Sequence, residues 1–243
     1  MAITAQNIID AIQLQFMTAL ETVNTTDFTA VGGTPSFEAA TAFPNSRTEK
    51  FLDFTGSEYY TFNASTNLSM EEGIFHCWIK PDFDQASATY RFIFDTYNSS
   101  TTDGFQFNFR PGIDDWRFNR ISDGAGLSVD SVGETWSAND VIHMVVMWSN
   151  AKNLDNNKNL SLYINNILIA SDDTNWTVDG SDVMAAVARL GAFWNSTAYN
   201  WDGGLFDAAF LDHTALALVG TDVEIVQSLY SNTLNSGTDH VFV

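Results

Sequence analysis

The sequence predicts an all-β chain folded as a two-sheet antiparallel sandwich, and three runs predict it. Phe105, Phe107 and Phe109 alternate with Gln106, Asn108 and Arg110, which gives one aromatic and one wet face. Ile142, Met144, Val146 and Trp148 alternate in the same way, but Val145 and Met147 make the second face apolar too, as in a central strand covered on both sides. Leu160, Leu162 and Ile164 run into Asn165-Asn166, a pair that tolerates positive φ and suits a tight hairpin, with Ile167 and Ile169 beyond it.

Other elements flank these strands. Residues 4–22 carry Ile8, Ile9, Ile12, Phe16, Met17 and Leu20 at three- and four-residue spacings, which predicts an amphipathic helix with Thr4 as its N-cap. Residues 23–47 read as a Thr-, Gly-, Ser- and Pro-bearing connector, so residues 1–47 form an arm and residues 48–243 the sandwich. The helix must bury its stripe, either on its own sandwich or on a neighbouring subunit. At the other end Thr221-Asp222-Val223-Glu224 is a capping-box pattern followed by Ile225, Val226, Leu229 and Tyr230, which predicts a short helix over about 221–231.

Composition bounds the function. Ten basic residues against 30 acidic ones give a formal charge of −20, so nucleic acid and anionic membranes are excluded as expected partners. A single cysteine, Cys77, has no intramolecular disulfide partner and reads as a buried, inert thiol. No stretch approaches the roughly 18 apolar residues of a membrane span, and MAITAQNIIDAIQLQF lacks a basic leader and a cleavage pattern.

The order of segments resembles a known family. KFLDFTGSEYYTF (50–62) is similar to the opening strands of laminin G-like and pentraxin-like jelly rolls, and GIFHCWIKPD (73–82) to their next strand, with a central Trp ending at Lys-Pro. DVIHMVVMWSN (140–150) with LSLYINNILIASDD (160–173) resembles their His-bearing strand and Leu-Tyr-Ile hairpin. ARLGAFWNSTAYNWDGGLFDAAFLDHTAL (188–216) resembles the late segment, in which Leu-Gly leads through a loop to Gly-x-Phe-Asp and an apolar strand. The resemblance covers about residues 48–232 and implies the jelly-roll sandwich of the concanavalin A-like lectin and glucanase superfamily. It also implies calcium as the cofactor to look for, with Asp202 and Asp207 as ligands, although Ala208 stands where family members often carry a second acid.

That fold hosts hydrolases, lyases and lectins, so activity must be sought in the residues. A retaining glycosidase needs paired carboxylates, carried as Glu-x-Asp-x-x-Glu in laminarinase-like members, and no such run occurs. His76, His143, His213 and His240 show no metal-ligand spacing. Trp116, Trp176, Trp194, Tyr199 and Trp201 lie among Asn, Asp, Ser and Thr, a mixture suited to stacking sugar rings while hydrogen-bonding their hydroxyls; they are the candidate carbohydrate-binding residues.

The expectation is therefore a non-enzymatic protein. The first reading is a virus or phage structural subunit, a capsid decoration or tail-associated protein made in the host cytoplasm and carried on the virion. It would be homo-oligomeric, docked on other virion proteins through Ile8, Ile12, Phe16 and Leu20, and in contact with host-surface glycans. The alternative is a stand-alone carbohydrate-binding lectin module, assisted by calcium.

Overall fold

The computed structural model describes residues 3–15, 27–39, 50–97, 103–113, 115–122, 125–151, 153–176, 178 and 182–234. In chain order the strands are β1 (Ile12–Gln15), β2 (Thr29–Val31), β3 (Ser36–Ala39), β4 (Lys50–Thr55), β5 (Tyr59–Phe62), β6 (Glu72–Pro81), β7 (Arg91–Asp95) and β8 (Gly104–Arg110). They continue as β9 (Asp115–Ser122), β10 (Ala125–Asp130), β11 (Ile142–Ser149), β12 (Leu160–Ile164), β13 (Ile167–Asp172), β14 (Ala188–Leu190) and β15 (Asp202–Leu211). Helices are α1 (Ala5–Asp10), α2 (Ala64–Asn67), α3 (His213–Ala217) and α4 (Asp222–Leu234).

Among these residues two antiparallel sheets stack as a jelly-roll sandwich. The first runs β13-β12-β11-β6-β15-β4-β3, with β1 paired to β15, and the second runs β10-β9-β8-β7-β14-β5-β2. Side chains alternate across each strand, so Phe75, Cys77 and Ile79 of β6 meet Phe94, Phe105 and Phe107 of the second sheet in one aromatic core. Ring centroids of Phe75 and Phe94 lie 4.6 Å apart, and those of Phe105 and Trp148 also 4.6 Å. Each such ring contributes about 1.5–3 kcal/mol by leaving water. Cys77 is fully buried, and burial, then the charge of Asp207, holds its thiol well above the usual range.

β11 is buried along its whole length, as its two apolar faces predict. Its second face, Val145 and Met147, lies under α1, α3 and α4, where Ile8, Leu216, Ile225 and Leu229 close a second core. The Asn165-Asn166 hairpin forms with φ of 49° and 68°, the positive values a two-residue turn requires. Both predicted helix caps form: the Thr4 hydroxyl accepts from the Asn7 N–H at 3.2 Å, and Glu224 and Thr221 bond each other reciprocally.

The arm departs from its predicted course. The helix ends at Asp10, and Ile12–Gln15 becomes a strand laid on β15, Ile12 opposite Leu211 and Gln15 opposite Ala209. Ile12-Gln13-Leu14-Gln15 also alternates with period two, and the open edge of β15 supplies hydrogen bonds that decide between the two periods. β2 and β3 join the second and first sheets, so β1, β2 and β3 all pair within the sandwich's sheets. Ile8 is fully buried against its own chain. Phe16, Met17, Leu20 and connector residues 23–26 and 40–47 fall outside the described residues.

Candidate ligand-binding face

The outer face of the second sheet collects the polar and aromatic groups. Phe105, Phe107 and Phe109 of β8 face inward, which turns Gln106, Asn108 and Arg110 outward. Arg110 forms a two-point pair with Asp115 at 3.1 and 2.8 Å, and Arg117 pairs with Asp130 at 2.7 Å. These bridges tie β8, β9 and β10 together on that face.

Gln106 and Asn108 are nonetheless buried. The segment between β14 and β15 folds back on the same face. Gly191 begins it at φ 86°, the Phe193 carbonyl accepts from Arg189 Nη1 at 2.7 Å, and the Phe193 ring lies 4.7 Å from Phe92. Asp95, at the end of β7, anchors the loop. Its Oδ2 accepts from the Trp194 N–H at 3.1 Å and from Gln106 Nε2 at 3.1 Å, while Oδ1 accepts from the Tyr97 N–H at 2.9 Å. Burial pushes the Asp95 carboxyl up to about 7, against the pull of those donors and of the Arg189 charge.

The loop brings five aromatic rings into one ribbon. Tyr90 lies 5.7 Å from Tyr199, Tyr199 5.9 Å from Phe193, Phe193 5.8 Å from Trp194, and Trp194 6.3 Å from Tyr97. Tyr90 and Tyr199 are 38% and 37% exposed, and Phe193, Trp194 and Tyr97 are half-buried, so the ribbon is held from below and open above. Arg189 lies beside it, its guanidinium 4.7 Å from the centre of the Tyr59 ring.

Two of the five predicted sugar-stacking residues, Trp194 and Tyr199, thus stand on the ribbon. Trp116 and Trp201 do not: both are buried, 6.1 Å apart, where with Phe83 they plug the end of the sandwich. Their polar sequence neighbours marked loops, but an indole at the mouth of two sheets fills the gap that strand ends leave. Trp176 lies half-buried at the sandwich edge under the Arg120 guanidinium, 4.8 Å from its ring centre. Tyr90, Tyr97 and Phe193 carry no pattern in the sequence that sets them apart, and only the fold aligns them with Trp194 and Tyr199.

The predicted cation pair does not converge. Asp202 opens β15 in an ion pair with Arg91 at 3.2 Å, and Asp207 lies five residues along, roughly 16 Å away in an extended strand. Asp207 is buried at φ 50° in a bulge that shifts the register between Phe206 and Ala209. Among the described residues no group of three metal-binding side chains forms.

The histidines stand away from this face. His76 and His143 are fully buried on the outer side of the first sheet, with Trp78 and Tyr230 within 4.8 and 5.5 Å of His143. His213 Nε2 donates to the Asp222 carboxylate at 2.8 Å and its Nδ1 lies 3.4 Å from Glu72, pinning α3 and α4 to β6.

No family model matches the chain, and no curated protein is significantly similar to it. Solved structures do match. Domain 4 of AbnA, a GH43 extracellular arabinanase from Geobacillus stearothermophilus in complex with arabinotriose, aligns with a TM-score of 0.56 at 14% identity, over 76% of this chain and 82% of that one. A botulinum neurotoxin type C structure, whose cell entry depends on two ganglioside molecules, aligns with a TM-score of 0.62 at 12% identity, over 96% of this chain and 53% of that one. The receptor-binding domain of botulinum neurotoxin D aligns with a TM-score of 0.62 at 13% identity, over 93% and 53%. The chain thus spans about half the length of the neurotoxin domains. At these identities the likeness is one of fold alone: the chain shares the two-sheet jelly-roll sandwich of these structures.

Proposed function

We propose that this chain is a non-catalytic carbohydrate-binding domain that holds an extended glycan along the ribbon from Tyr90 to Tyr97. The ribbon carries the reading. Sugar rings stack on aromatic faces through their C–H surfaces while nearby polar groups take their hydroxyls, and a row of rings partly open to water suits that use. Two fold neighbours are described with arabinotriose and with gangliosides, which supports a glycan as ligand class.

Binding needs no ion in this reading, because the Asp202 carboxylate is engaged by Arg91. Nor is an enzyme called for: Asp115 and Asp130 are spent on arginine pairs and Asp95 on three N–H donors. A virion subunit docked through its arm is the less favoured reading, since Ile8, offered for that contact, is buried on its own chain.

Glycan-array binding followed by calorimetry tests the proposal. Wild-type protein retains an oligosaccharide with and without a chelator, and Tyr199→Ala with Trp194→Ala lowers affinity at least tenfold at unchanged melting temperature. Equal binding by the double variant, or no retained glycan, sinks it, and a discrete oligomer by light scattering would then revive assembly.

A further inference from the structure

Five of the six arginines in the chain stand on strands of the second sheet: Arg91 on β7, Arg110 on β8, Arg117 and Arg120 on β9, and Arg189 on β14. The first four have carboxylate partners. Arg91 pairs with Asp202 at 3.2 Å, Arg110 with Asp115 at 2.8 Å and Arg117 with Asp130 at 2.7 Å, and Arg120 reaches Asp182 at 4.0 Å. Arg189 forms no ion pair among the described residues.

Arg110 and Arg117 show how this face holds an acid. Each turns one edge of its guanidinium, Nε and Nη2 together, to both oxygens of a carboxylate: Arg110 to Asp115 at 3.1 and 2.8 Å, Arg117 to Asp130 at 2.7 and 3.0 Å. The planar fork matches the spacing of the two oxygens, and the charge makes both bonds strong.

Arg189 is fixed by its remaining parts. Its Nη1 donates to the Phe193 carbonyl at 2.7 Å, and the guanidinium lies 4.7 Å from the centre of the Tyr59 ring. Nε and Nη2 donate to no group among the described residues, and neither atom is sealed from water. The edge that Arg110 and Arg117 use is therefore open at Arg189. Asp95, its cross-strand neighbour on β7, does not close that edge, because its oxygens accept from Tyr97, Trp194 and Gln106.

We propose that the glycan held on the ribbon is acidic, a uronate or sialate, and that Arg189 takes its carboxylate in a two-point pair through Nε and Nη2; this rests on the ribbon being a glycan site. The bond to Phe193 ties the guanidinium to the residue whose ring is the middle one of the ribbon, so a sugar stacked there meets it. A cation already held between a ring and a carbonyl gives up little side-chain freedom on binding. The chain's charge of −20 opposes an anion only at a distance, since exposed charges more than about 8 Å apart are largely screened at physiological ionic strength.

The test uses the full chain on an array of uronate- and sialate-bearing oligosaccharides, each printed beside its methyl ester, followed by calorimetry with the acid and ester of the pair retained best. Wild type is expected to bind the acid at least tenfold more tightly than the ester, which has the same rings but no charge. Arg189→Gln should abolish that preference, and Arg189→Lys, which keeps the charge and loses the fork, should retain only part of it. A residue that merely props the Phe193 loop would instead weaken acid and ester in parallel when replaced, and that result overturns the proposal. Equal affinity for acid and ester in wild type, with both lost in the Tyr199→Ala, Trp194→Ala double variant, would overturn it and leave the ribbon standing. Retention of no glycan at all would sink both.

Discussion

The main-chain N–H of Trp194 donates to the Asp95 carboxylate at 3.1 Å across 99 residues of sequence, so the middle of the aromatic ribbon hangs on one buried acid. The face proposed to stack a ligand is therefore set by a residue that no ligand need touch.

Asp95→Asn is expected to leave at least one of the three N–H donors around it without an acceptor, costing about 1–3 kcal/mol. The pH dependence carries a sharper signature. Because burial raises the folded-state value above the unfolded one, to about 7, the folded protein holds this proton more tightly. Asp95's contribution is complete below about pH 4 and is lost as pH climbs through 7, at a slope of at most about 1.4 kcal/mol per unit. Denaturant titrations of wild type and Asp95→Asn from pH 4 to 8 should differ by that one-proton slope; parallel curves would refute it.

His76 and His143 act in the opposite sense. Burial drives His76 down to about 3, and burial together with the neighbouring His76 drives His143 well below its usual value. Unfolding lets each take up a proton that the folded state refuses, so stability is present above the unfolded value near 6.5 and falls as pH drops below it. Each accounts for a loss of about 1.5 kcal/mol between pH 6.5 and 5. His143→Phe should remove one such increment, and an unaltered acid profile would count against this account.

His213 behaves as a clamp. Burial opposes its charge, but the Asp222 hydrogen bond and the charges of Asp222 and Glu72 outweigh it and raise its value. Its stabilisation is full below about 6.5 and fades as pH rises through the folded value. Asp222→Ala strands a buried imidazole and the Asp155 N–H that donates to Asp222, and should cost about 3–5 kcal/mol by urea denaturation, most of it at acid pH.

Gly203 sits at φ 126° where β15 leaves the ribbon loop, and a Cβ there would meet the Lys80 carbonyl oxygen at 2.4 Å. Gly203→Ala combines backbone strain with a clash against main chain, so a loss of about 3 kcal/mol or more is expected from the melting curve. An alanine variant as stable as wild type would show that this junction yields.

Much of the sandwich could be read from side-chain period. The alternation in β8, the doubly apolar β11 and the Asn165-Asn166 turn are local signals, and each strand's inward rings bury themselves wherever the partners come from. The arm was harder, because Ile8 and Ile12 satisfy both periods, and Leu14, which fits only the strand period, decides nothing until β15 offers its edge. The ribbon was legible only at Trp194 and Tyr199. Tyr90 and Tyr97 reach the ribbon because β7 lies beside the loop, and no spacing in the chain encodes that neighbourhood. Trp116 and Trp201 misled for the converse reason: polar neighbours mark a loop, whereas burial of the indole depends on which end of the sandwich it must close.

The bulge at Asp207 divides one side of β15 into two berths. β4 occupies the first, against Asp202 to Leu205, and β1 the second, against Ala209 to Leu211. The amino-terminal strand thus acts as a stopper on a sticky edge. Trimming it away would uncover unpaired main chain next to Ile74 and Leu211, the arrangement that recruits a strand from another molecule. Proteolysis at this end, rather than freeing a docking arm, would convert a self-contained sandwich into a seed for polymerisation.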